Sequence, residues 1–331
     1  MTTSNTRASA LALAILCAAT MQDAVAAIQR TFVSGGGLDS NACSLAAPCR
    51  GFAAALAQTL PGGEVVVLDS AGYGPVTISQ AVTLVAPSGV YAGISVFAGA
   101  GITINAAAGD KVTLRGLTIN GLGGVTGIAF NSGNALYLDG IVVSGFTGGV
   151  GVAAGLGSGT ADLFIQDSAF RDNATGLATV TTSGVLTLAV ERSMFERNGV
   201  GASISGNTLG SIHGSSLAGG GTGLAAGSAA HTVKVEMRDC TISDNSGNGV
   251  VAVTSGTTST ALSVVSSLVS GNLIGLDAVG SANSIYVSDN TITRNTTGIN
   301  FSASATLVSG GDNRLINNGT DGSFSSTSPK I

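Results

Sequence analysis

From about residue 110 onward the chain echoes itself every 22 to 27 residues, and no other feature constrains its fold as much. The clearest copies begin at Gln166 (Gln-Asp-Ser-Ala-Phe-Arg-Asp-Asn), Glu191 (Glu-Arg-Ser-Met-Phe-Glu-Arg-Asn), Arg238 (Arg-Asp-Cys-Thr-Ile-Ser-Asp-Asn) and Ser288 (Ser-Asp-Asn-Thr-Ile-Thr-Arg-Asn). A fixed period in this range indicates a solenoid, whose units bury their apolar faces only by stacking on one another. One apolar residue per copy sets the register: Ile119, Val143, Phe170, Phe195, Leu217, Ile242, Val269, Ile292 and Leu315.

Counting from this anchor separates strand from helix. Seven and five positions before it stand apolar pairs such as Leu136/Leu138, Leu163/Ile165, Leu188/Val190 and Val235/Met237. That period of two predicts a strand with one buried face. Two before the anchor lies a second inward column that includes Ser168, Ser193, Ser215, Cys240, Ser267, Asn290 and Asn313. The change of parity between the two sets requires a two-residue corner. Three after the anchor comes asparagine at 173, 198, 245, 272, 295 and 318. It is read as a second corner, because asparagine tolerates left-handed backbone and can bond its own turn. A third short strand follows, as at Gly176-Leu-Ala-Thr or Gly298-Ile-Asn-Phe. The expected fold is all-β: a right-handed parallel β-helix of about a dozen coils, each with three short strands. Glycine, 50 of 331 residues, suits a chain that turns this often, and helix formers are too scarce for a helical solenoid.

The ends are read separately. Arg7, the apolar run Ala8 to Ala19 and Ala24-Val-Ala26 predict a signal peptide over 1–26, cleaved near Ala26, with a secreted or periplasmic product. No later apolar run is long enough to span a bilayer, so no membrane span is expected. Residues 27–63 are expected to form an N-terminal cap. There Cys43 and Cys49 bracket a small loop suited to a disulfide worth roughly 2 kcal/mol. Phe52, Leu56 and Leu60 share one face of a capping helix that stops at Pro61-Gly-Gly. The β-helix is expected over 64–322, opening with strands at Val65–Leu68, Val76–Ile78, Val82–Val85 and Ile94–Val96, and a loose tail over 323–331. Cys240 is expected to be a buried, inert thiol in its column. The sequons at Asn173, Asn295 and Asn318 fall in the corner column and are read as structural rather than as glycan acceptors.

Together these residues resemble the pectate lyase-like superfamily of right-handed β-helices, over roughly residues 60 to 320. Arg30-Thr-Phe-Val-Ser, Asp39, Cys43, Pro48-Cys-Arg50 and Ala86 to Gly93 are also similar to a group of exported bacterial β-helix proteins with no established activity. The superfamily holds pectate lyases, polygalacturonases, other polysaccharide enzymes and adhesins, so the resemblance implies a carbohydrate substrate class rather than a reaction. The chain lacks the polygalacturonase-type Asp-Asp, Asn-Thr-Asp and Arg-x-Lys, and His213-Gly214 matches Gly-His-Gly only in part.

The columns still locate candidates. Four before the anchor, facing outward, run Arg115, Asp139, Gln166, Glu191, His213 and Arg238; six before it run Thr113, Tyr137, Phe164, Ala189, Ser211 and Glu236. Tyr137 and Phe164 with Asp139 and Gln166 form a candidate glycan-binding strip, because sugar rings stack on aromatics while carboxylates and amides bond their hydroxyls. Glu191, His213 and Arg238 are the candidates for acid–base chemistry. The plainer account of these charges is a ladder that supports stacking, as Asp167 before Arg192 and Asp172 before Arg197 suggest. His231 falls in a variable turn and is read as simply solvated. No cofactor is expected; a calcium site could draw on Asp239, Asp244 or Asp289, though no Asp-rich loop is present. A net charge of −5 with few lysines excludes a nucleic-acid surface. The leading reading is an exported, non-catalytic protein that binds a polysaccharide or cell-surface glycan along its long face. The alternatives are a polysaccharide lyase or glycoside hydrolase with an atypical site, and an adhesin or scaffold.

Overall fold

A left-handed residue starts two of the three turns in most coils of this chain. Three before the anchor, Gly116, Gly140, Asp167, Arg192, Gly214, Asp239, Ser266 and Asp289 all have φ between 46° and 70°. Two after it, Gly145, Asp172, Arg197, Gly219, Asp244, Gly271, Arg294 and Asn317 are left-handed too, with φ between 52° and 83°. Between such corners the strands are extended, and the computed structural model, which describes residues 28–254 and 258–328, winds them into a right-handed parallel β-helix. Among the described residues three parallel sheets of thirteen, eleven and ten strands run its length. Ten coils are complete, from Thr59–Val67, Ala71–Gly72 and Val76–Ile78 to Asn283–Ser288, Thr291–Thr293 and Thr297–Ser302. The expected signal peptide lies outside the described residues. No helix among the described residues is long and apolar enough to cross a membrane.

The register is the one the anchor sets. Ile119, Val143, Phe170, Phe195, Leu217, Ile242, Val269, Ile292 and Leu315 pair coil to coil in the second sheet. The Phe170 and Phe195 rings stack with centroids 4.9 Å apart, both buried. The alternating residues of the first sheet, Leu163, Ile165, Leu188, Val190 and Met237 among them, fill the same continuous core.

The asparagine column works differently from the expectation. The left-handed residue is its predecessor, and the asparagine side chain bonds mainly the neighbouring coil, with Asn272 Nδ2 also donating to the Ser270 carbonyl of its own turn. Asn198 Oδ1 accepts from both the backbone N–H and the Nδ2 of Asn173, while its own Nδ2 donates to the Phe170 carbonyl. Asn245 with Asn272, and Asn272 with Asn295, repeat the pattern at 2.9–3.1 Å. The buried glycine beside each asparagine is a consequence. A Cβ on Gly176 would stand 2.6 Å from the Gly201 carbonyl and 3.2 Å from Asn198 Nδ2. At the other corner the serine column does the same work: Ser193 Oγ accepts from Ser168 N–H and donates to the Glu191 carbonyl. Cys240 sits in that ladder with its thiol donating to the Arg238 carbonyl, and burial pushes the thiol pKa up.

Three end features depart from expectation. The helix is Phe52–Gln58 only; Thr59 is already extended, and Leu60 is exposed in the strand Thr59–Val67. That strand gains two parallel neighbours, Ile28–Val33 and Val82–Val85, and takes up Pro61-Gly-Gly as an irregularity in register, so sheet pairing overrides the helix-stop signal. The strand Ile28–Val33 was not foreseen. Phe52, Ala55 and Leu56 are buried against this first coil, and Cys43 and Cys49 form the disulfide beside it. At the far end Ser326–Thr327 pairs with Val308–Ser309, so the described part of the tail is a strand rather than a loose end.

Truncating Asn198 to alanine strands the buried Asn173 amide and the Phe170 carbonyl. A loss of about 2–4 kcal/mol in denaturant unfolding is expected, at the usual cost of buried unsatisfied groups. Ser216→Ala, half-buried one coil away, should change stability by less than about 0.5 kcal/mol.

Candidate functional site

The outer face of the first sheet carries the candidate strip because strand alternation turns every second residue away from the core. Register places Tyr137 between Thr113 and Phe164, and Asp139 between Arg115 and Gln166. The Tyr137 and Phe164 rings stack on each other, centroids 4.7 Å apart and planes 11° from parallel. By register Tyr137 has Thr113 on its other side and Phe164 has Ala189. Asp139 accepts from Arg115 Nε at 2.8 Å. All four residues of the strip line one depression of about 240 Å³, together with Thr113, Arg115 and Leu138. An aromatic wall beside a carboxylate, a guanidinium and an amide can hold the apolar face of a sugar ring and bond its hydroxyls.

The acid–base candidates occupy successive coils, since Glu191 pairs in register with His213 and His213 with Arg238. Their side chains are drawn apart into separate pairs. Glu191 Oε2 accepts from Arg192 Nη1 at 3.0 Å, His213 Nε2 meets Asp239 Oδ2 at 2.8 Å, and Arg238 donates to Glu236 Oε1 at 2.9 Å. All are about half exposed.

The aspartates considered for calcium do not converge. Asp239 and Asp289 share a corner column two coils apart, Asp244 lies at the opposite corner of the second sheet, and Asp289 accepts from Ser266 Oγ. Among the described residues no three His, Cys, Asp or Glu side chains are grouped as metal ligands. His231 is more than solvated, since its Nε2 meets the Thr182 carbonyl across two coils at 2.8 Å. The sequon residues Asn173 and Asn295 are buried in the ladder.

A feature the sequence reading missed lies farther along the same face. A larger depression, about 570 Å³, runs from Thr187 to Tyr286 over the small residues Gly210, Ser211, Ala261 and Ser263, with Lys234 and Glu236 on its floor. Tyr286 stands six before the anchor Ile292, in the column of Tyr137 and Phe164. Extending that column beyond Glu236 would have found it.

No protein-family model and no curated protein sequence matches this chain. Solved structures do resemble it in fold. "Crystal structure of pectate lyase Pel9A" shares 14% identity over 93% of this chain and 80% of that one, with a TM-score of 0.51. "The complex structure of XylC with xylose" shares 10% identity over 82% of this chain and 70% of that one, TM-score 0.53. The "Azotobacter vinelandii Mannuronan C-5 epimerase AlgE4 A-module" shares 13% over 82% and 91%, TM-score 0.52. At these identities the likeness establishes the parallel β-helix fold.

The corner ion pairs set a pH dependence. Arg192 and Arg197 grip Asp167 and Asp172 with two hydrogen bonds each, at 2.8–3.0 Å, and hold both carboxyls below the usual carboxylate range. A depressed carboxyl stabilises the fold above its unfolded pKa, near 3.9, and the benefit fades as pH falls through the folded value. An Arg192→Gln, Arg197→Gln double variant should be the less stable at pH 7. Its unfolding midpoint should fall less than that of the parent between pH 5 and 2, and high salt should narrow the difference.

Proposed function

We propose that this is an exported carbohydrate-binding protein that holds a polysaccharide along the outer face of its first sheet and does not cleave it. The observation that carries the reading is the Tyr137–Phe164 stack set in one depression with Asp139, Gln166 and Arg115. An aromatic contact contributes only about 0.5–1.5 kcal/mol beyond area burial, so one sugar ring would bind weakly. A polymer occupying successive coils, which repeat every ~4.8 Å, would gain by multivalency. The structural neighbours lend support: their titles name a pectate lyase, a xylose complex and a mannuronan epimerase. The Cys43–Cys49 disulfide fits export to the periplasm or beyond.

The non-catalytic half of the proposal rests on the ion pairs. General acid–base catalysis needs groups free to exchange protons within reach of one bond. Glu191, His213 and Arg238 each spend their reach on a different partner.

Affinity gels and glycan arrays loaded with neutral and acidic polysaccharides test binding. The Tyr137→Ala, Phe164→Ala double variant should lose about tenfold or more in affinity, while binding unchanged in that variant would remove the strip. In the same incubations no new reducing ends or unsaturated products should form. Products that vanish in Glu191→Gln would instead establish the lyase or hydrolase alternative.

A further inference from the structure

The third sheet presents a face unlike the other two. In its ten strands, from Val76–Ile78 to Thr297–Ser302, Asp277 is the one charged residue. The first sheet, by contrast, carries charges from Arg30 to Arg238. The outward columns of the third sheet are mostly small or β-branched. One runs Thr103, Ala129, Ala153, Ala178, Ser203, Ala225 and Val251 before reaching Asp277 and Asn300; another runs Thr126, Val150, Thr175, Val200 and Thr222. Val180 and Val253 stand exposed along the margin.

The turns that lead into these strands add larger groups. Phe97, Leu122, Val125 and Leu273 all lie there, with Phe97 70% and Val125 60% exposed. The first three stack on one another's turns, for Leu122 N–H donates to the Val96 carbonyl and Val125 N–H to that of Gly99. With Asp277 as its one charge and an exposed aromatic at its edge, this face can pack against a second sheet.

We propose that the third-sheet face is the contact between two copies of this chain, packed sheet on sheet about a two-fold axis. Area supports that occupant. Ten strands ~4.8 Å apart and about six residues wide at ~3.3 Å each give a face of roughly 700 Å². A specific interface needs about 800 Å² per partner, and the Phe97 to Val125 margin adds to the flat area. Charge placement supports it too. Each copy has a net charge of −5, yet its ion pairs lie on the other sheets and their corners, so two third sheets meet without juxtaposing like charges. The alanine column lets the sheets approach to ~10 Å, with valines from each side filling the gaps. A two-fold axis makes the patch its own complement. This arrangement leaves the first sheet of both copies open, so it stands independently of the carbohydrate proposal.

Sedimentation equilibrium on the full chain tests it. The parent should be a dimer at micromolar concentration. Ala178→Arg, at the centre of the face, should weaken association at least about tenfold, and Val200→Lys one coil away should do the same. Ser243→Arg, on the outer column of the second sheet, should leave the dimer intact. Circular dichroism and thermal melts identify which variants are folded, and either third-sheet variant alone suffices. A parent that stays monomeric to its solubility limit overturns the proposal, as does a dimer that survives both folded variants.

Discussion

The backbone N–H groups at the corners decide this structure. Each such corner sets an outward left-handed residue before a buried inward one, as Asp167 before Ser168 and Asp172 before Asn173, and the N–H of the buried residue must find a partner inside. Only the next coil can satisfy it, through the Oδ1 of an asparagine or the Oγ of a serine. An unmet donor there costs about 1–3 kcal/mol. The left-handed residue that creates the corner costs about 1–2 kcal/mol when it is not glycine. A solvent-exposed ion pair in general returns at most about 1 kcal/mol. The comparison ranks the devices. The ladders fix the stacking, the corners are strained to reach them, and the ion pairs between left-handed Asp and Arg offset part of that strain.

This ranking explains what could be read from sequence. From Ser168 and Asn173 onward the columns were legible because a ladder residue there is short, polar and inward, which favours Ser, Asn and, at Cys240, a thiol able to donate as serine does. Register then followed for the outward residues, and the Tyr137–Phe164 stack and the Asp167–Arg192 and Asp172–Arg197 pairs fell where counting placed them. The role given to asparagine was wrong for an instructive reason. Its preference for left-handed backbone is a local property, while its use here is an inter-coil bond that no local rule contains.

The ends were less legible because the period fails there. Phe52, Leu56 and Leu60 do sit at helical spacing, yet the chain leaves the helix at Thr59, whose hydroxyl bonds the Ala55 carbonyl and meets that of Thr31. A seven-residue helix contributes little by itself. Joining a thirteen-stranded sheet contributes a ladder of backbone bonds on both sides, and the longer-range term wins. The strand Ser326–Thr327 is the same case: two polar residues with no pattern of their own, paired because an edge at Val308–Ser309 was open to them.

Because ladders and core hold the coils, the outward positions carry a smaller share of the folding, and the three faces differ. The first sheet combines aromatics with charges held in separate pairs. The third sheet has shed charge for ten coils except at Asp277, whose two oxygens take amides from Asn248 and Asn300 rather than a cation. An uncharged column of alanine and threonine does nothing for stacking that a charged one could not do. Solubility alone would favour scattering charges across it. A face kept bare for the length of the solenoid, beside one crowded with ion pairs, is therefore best explained by what lies against it.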